Sequence, residues 1–113
     1  MQKTSQSFLD QLTTNGHRVD TGCWVDSHHG HYVGMEAILL AIRLGWDDIQ
    51  AAQAAYEYPD HGGDPAWEFY PIWFDIIDAA EEWLNSHTEG GVWQFWEGNL
   101  MLWTNSEYDE ENE

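Results

Sequence analysis

Between residues 31 and 44 the apolar positions Met35, Ile38, Leu39 and Ile42 recur as i, i+3, i+4, i+7, while Val33, Ala37, Leu40 and Ala41 make the opposite side apolar too. A helix that is apolar nearly all round belongs in the middle of a core. Gly45 supplies its left-handed stop. Asp47 can cap an alanine-rich helix over 49–58, which Pro59 closes by disfavouring helical backbone in the residue before it. Residues 59–64 read as a loop, and Asp64-Pro65 as a short capped turn. The main amphipathic helix is expected over 71–85, with Ile72, Ile76, Ala79, Ala80 and Trp83 inward. Nearer the start, Thr4 or Ser5 can cap a short helix carrying Phe8, Leu9 and Leu12 on one face and ended by Asn15-Gly16.

The pattern changes period after Gly90-Gly91. The runs 92–96 and 100–103 flank Glu97-Gly98-Asn99, which predicts a hairpin with Gly98-Asn99 as its two-residue turn. Trp93 and Phe95 then share a face with Leu100 and Leu102, and Trp96, Met101 and Trp103 share the other. Val19, Trp24 and Val25 mark 17–25 as a further hairpin or extended segment able to add a third strand. The expected fold is therefore a small single α+β domain, three to four helices packed with a C-terminal β-hairpin or three-stranded antiparallel sheet. It would span residues 1–104, with 105–113 as an acidic, solvated tail.

Composition bears on class. The 113 residues include eight Trp, five Tyr and four Phe, more aromatic content than a disordered acidic chain carries. Cys23 is the sole cysteine, which excludes an internal disulfide framework. No basic segment followed by an apolar run opens the chain, and no apolar stretch approaches membrane-spanning length, so a cytoplasmic protein is expected.

Charge says more. The formal net charge is −18, and after Arg43 the chain has no lysine or arginine but seventeen aspartates and glutamates. So lopsided a balance costs the compact state self-repulsion and leaves few internal ion pairs; its natural complement is a strongly basic surface of the kind that holds nucleic-acid phosphates. On the predicted 71–85 helix Asp75, Asp78 and Glu82 stand at i, i+3, i+7, with Glu81 beside them and Glu68 preceding. Successive members rise by about 4.5–6 Å, comparable with the ~3.4 Å between phosphates along one DNA strand once side-chain spread is included. Asp47, Asp48 and Glu57 form a second acidic group, and the tail a third. An ordinary exposed helix also carries acids, but it mixes them with bases. Trp96 and Trp103 are the candidate aromatic anchors for a partner, against the alternative that they pack the core.

In size, charge and acidic tail the chain resembles, as a class, the small acidic DNA-mimic inhibitors that phages and mobile elements use against restriction enzymes and CRISPR effectors. These inhibitors share no single fold, and the resemblance rests on no motif, so it assigns no individual residue. It implies a non-enzymatic anti-CRISPR or anti-restriction protein that blocks a basic DNA- or RNA-binding protein in the bacterial host cytoplasm. No cofactor is expected; the acidic charge and the lack of a basic patch argue against direct binding to nucleic acid or membrane, and a hairpin apolar on both faces would allow a homodimer. Two alternatives stand beside it. One is an immunity protein or antitoxin that neutralises a basic toxin. The other is a small metal- or cysteine-dependent enzyme using Cys23 with His28, His29 and His31, although their spacing matches no zinc motif and a single cysteine offers no paired thiolate.

Overall fold

A computed structural model describes residues 12–105, the side chain of His29 excepted. The part of the first predicted helix up to Gln11, and the acidic tail after its first residue Asn105, lie outside the described residues. Leu12, which was expected on that helix, is buried at the entrance to a strand pair, β1 (Thr13–Thr14) and β2 (His17–Arg18). Asn15-Gly16 is the turn between them rather than a helix stop. Both residues have positive φ, 51° and 81°, as the two centre positions of a type I′ hairpin turn require.

Strand β3 (Gly22–Val25) leads into a 3₁₀ segment, Ser27–Tyr32, capped by Asp26, whose Oδ1 accepts from His28 N–H at 2.8 Å. Helix α1 (Val33–Arg43) follows, then α2 (Ile49–His61), the 3₁₀ turn Tyr70–Ile72, and α3 (Trp73–Ser86). The chain closes with β4 (Thr88–Glu89), β5 (Gly91–Trp96) and β6 (Asn99–Thr104). All strand pairs are antiparallel and form two small sheets, β2-β1-β4 and β3-β6-β5.

Helix α1 is the central element its all-round apolar pattern requires: Ala37, Ile38, Leu40 and Ala41 are buried, and it packs on both α2 and α3. Its crossing with α3 is close at Gly34, where a Cβ would stand 2.4 Å from Ile77 Cδ1. The cap of α2 is Asp48 rather than Asp47; its Oδ1 accepts from Ala51 N–H at 3.0 Å. Pro59 does not end α2, which continues to His61. The residue before it, Tyr58, is held helical by tertiary contacts: its ring is buried and stacked on Trp73 at 4.3 Å, and its hydroxyl donates to the His31 carbonyl at 3.0 Å. On α3 the buried residues are Trp73, Ile76, Ala80 and Leu84, while Ala79 is exposed and Ile72 and Trp83 are half-buried. The inner face is thus rotated from the predicted one, because Trp73 is drawn inward to stack on Tyr58.

In the hairpin, Trp96 pairs with Asn99, so the two-residue turn is Glu97-Gly98, with φ of 51° and 84°. This moves the turn one residue from the predicted Gly98-Asn99 but shifts the pairing by two, which preserves the faces. Trp93, Leu100 and Leu102 are buried with Val25 on the inner face. The third strand is present as β3, which pairs with β6 and carries an irregularity between Cys23 and Val25. The extra residue there, Trp24, edges onto Trp93 at 5.4 Å while remaining 39% exposed.

Candidate functional site

Helix α3 presents Asp75, Asp78 and Glu82 to solvent. Glu81, the fourth acid of the group, turns toward the sheet: it is half-buried, and its Oε2 accepts from the Phe95 backbone N–H at 3.2 Å. Burial pushes its carboxyl above the ordinary range, the Phe95 hydrogen bond opposes that rise, and the neighbouring Asp78 charge adds to it. The loop between α1 and α2 brings the second acidic group alongside. Asp48 and Asp75 both line one shallow hollow of about 250 Å³, together with Trp46, Ile76 and Ala79, and Asp47, the residue before Asp48, is exposed.

Glu57 and Glu68 stand apart from this arrangement in different ways. Glu68 is exposed in the turn before α3. Glu57 is occupied within the fold: its Oε1 accepts from Trp67 Nε1 at 2.8 Å, and Oε2 accepts from Gln53. The Trp67 and Gln53 hydrogen bonds hold its carboxyl below the ordinary range. Trp96 and Trp103 meet edge to face at 6.1 Å on the outer side of the hairpin. Trp96 is 39% exposed; Trp103 is half-buried, and its indole N–H has no hydrogen-bond partner among the described residues.

Cys23 is exposed on β3, His28 is exposed in the 3₁₀ segment, and the His31 ring lies 4.2 Å from that of Tyr32. Among the described residues no three His, Cys, Asp or Glu side chains converge in a way that could hold a metal ion. Among them too, no helix is long and apolar enough to cross a membrane.

A feature the residue pattern did not single out is a cleft of about 580 Å³ where the 3₁₀ segment, α2 and α3 meet. Its rings are those of His31, Tyr58, Tyr70, Trp73 and Phe74. Phe74 is 75% exposed at its mouth, one helical turn before Asp78. A large aromatic side chain on the acidic side of an amphipathic helix was the available signal, obscured by the apolar residues around it in Ile72-Trp73-Phe74. The architecture is that of a small α+β domain bearing an acidic helix face beside an aromatic cleft. No family model matches the chain, and no curated protein or solved structure matches it either.

Proposed function

We propose that this protein is a non-enzymatic inhibitor that occupies the nucleic-acid-binding channel of a basic protein, a host defence nuclease of the CRISPR or restriction kind, with carboxylates standing where phosphates would stand. The observation that supports this most is the exposure of Asp75, Asp78 and Glu82 along one side of α3, extended through Asp48 across the hollow, in a chain with no lysine or arginine after Arg43. These charges have little to neutralise them within the fold, so a complementary basic surface relieves their repulsion as well as adding attraction. Trp96 and Trp103 on the outer sheet face offer apolar contact area, which charge by itself does not supply.

Affinity capture from a bacterial lysate at moderate salt would identify the partner, and competition with that partner's DNA or RNA would establish the mode of inhibition. Affinity should fall as salt rises, and D75N/D78N/E82Q should weaken binding about tenfold or more, since a carboxylate facing a cation across a desolvated contact contributes about 1 kcal/mol or more. Affinity unchanged between low and high salt would remove the electrostatic mechanism.

A further inference from the structure

We propose that the cleft between the 3₁₀ segment, α2 and α3 is an arginine-binding pocket, which takes a guanidinium side chain of the basic partner between the Tyr70 and Phe74 rings. The inference rests on the reading of this protein as a ligand of a basic surface and adds where that surface is anchored. Tyr70 and Phe74 are 46% and 75% exposed, while Tyr58 and Trp73 behind them are buried and stacked on one another. The exposed aromatic rings lining the cleft are those of Tyr70, Phe74 and His31, and of these the Tyr70 and Phe74 rings are the ones without a basic nitrogen. Aromatic faces carry negative potential and attract a cation placed over them.

The space suits a side chain or a ligand of similar size, since 580 Å³ falls within the roughly 300–1,000 Å³ of small-molecule sites. Gly30, Gly34 and Gly62 line it; a Cβ on Gly34 or Gly62 would stand 2.4 Å from Ile77 Cδ1 or 2.5 Å from the Tyr58 ring, so these two glycines let the cleft wall pack closely. Charge selects the occupant. Among the described residues no lysine or arginine lines the cleft, whose one basic side chain is that of His31. Asp60 lines a second hollow of about 290 Å³ that shares His31, Tyr58 and Gly62 with it, and Asp78 stands one turn beyond Phe74 on α3. Neither carboxylate lines the cleft itself; in a chain of net charge −18 the surrounding field repels an anion and favours a cation over a neutral group. Arginine suits the site better than lysine because its planar, weakly hydrated head stacks on rings while its edge still donates to carboxylates.

The test uses the isotopically labelled full chain, amide NMR, and the peptide acetyl-Gly-Arg-Gly-amide, with the uncharged citrulline peptide as its near-isosteric control. The amides of Gly30, Gly34 and Gly62 should shift saturably with the arginine peptide, and the citrulline peptide should bind about tenfold more weakly. Phe74→Ala should weaken the arginine peptide several-fold without changing far-UV circular dichroism, because the side chain is mostly exposed; Tyr70→Ala gives a second, independent reading. Equal binding of both peptides overturns the proposal, as do shifts confined to the Asp75 and Glu82 region or the absence of any shift at the three glycines. The two readings fail separately. A basic partner that binds Phe74→Ala as tightly as the unaltered chain, yet is lost by D75N/D78N/E82Q, refutes the pocket and leaves the acidic inhibitor standing. An arginine peptide that saturates the cleft of a chain that captures no basic protein does the reverse.

Discussion

Replacing Thr88 by valine should cost this fold more than the same replacement at Thr14, although Thr14 is the more deeply buried of the two. Trp93 Nε1–H lies 2.9 Å from Thr88 Oγ1 and 3.1 Å from Thr14 Oγ1, and the two hydroxyls are 2.6 Å apart. The Thr88 hydroxyl donates to the Leu84 carbonyl. The proton between the two hydroxyls must therefore come from Thr14. Thr14→Val leaves Trp93 bonded to Thr88 and Thr88 bonded to Leu84, so no buried donor is orphaned and the loss is that of one ordinary hydrogen bond, about 1 kcal/mol. Thr88→Val takes the better acceptor from Trp93, the donor from Leu84, and the acceptor from a Thr14 hydroxyl whose residue has 0% of its surface exposed. An orphaned buried hydroxyl added to lost bonds brings the cost to about 2–3 kcal/mol. Urea unfolding followed by both tryptophan fluorescence and circular dichroism would measure the two differences, provided the slopes agree between variants. Equal costs, or a larger one at Thr14, would refute the assignment of the protons. The network ties the C-terminal end of α3 to both sheets.

Three further outcomes are expected. Glu81 has a carboxyl pKa raised in the folded state, chiefly by burial, so its folded form holds its proton more tightly than the unfolded chain does; that contribution is present below the ordinary carboxylate range and is lost as pH rises through the raised value. Glu81→Gln should therefore raise the melting temperature at pH near 7, by an amount that shrinks as pH falls toward about 4; an identical melting temperature at neutral pH would show that the buried charge costs nothing. Glu97 holds a φ of 51° in the hairpin turn, a conformation asparagine tolerates better, so Glu97→Asn should stabilise by about 1 kcal/mol, with Glu97→Gln as the control that removes charge alone. The variant D75N/D78N/E82Q should melt at a higher temperature than the unaltered chain while binding its partner less well, and a lower melting temperature would mean that these carboxylates serve the fold.

Legibility differed from element to element for physical reasons. The α1 helix was readable because an apolar pattern with helical period on both sides suits a buried helix and little else, and Gly45 marked its end through a backbone requirement local to one residue, a φ of 122°. The hairpin faces were readable because alternation survives a two-residue change in pairing. Pro59 misled because local propensity yields to burial when a ring such as Tyr58 gains a stacked partner. Asn15-Gly16 is equally suited to ending a helix or turning a hairpin, and the choice was made by Glu89 and Thr88, distant residues that pair with Thr13 and Thr14.

The sequence by itself determined the charge and its placement: seventeen acids and no lysine or arginine after Arg43, and a helical spacing that puts Asp75, Asp78 and Glu82 on one side. Charge and periodicity are properties of the chain and persist in any fold that keeps the helix. The tertiary structure decided what each acid does. It drew Glu81 to a backbone N–H of the sheet and Glu57 to an indole, brought Asp48 beside Asp75, and left Asp78 one turn beyond an aromatic cleft assembled from three separate segments. Those outcomes depend on contacts between residues far apart in the chain, and no local pattern encodes which partner a carboxylate or an aromatic ring will meet.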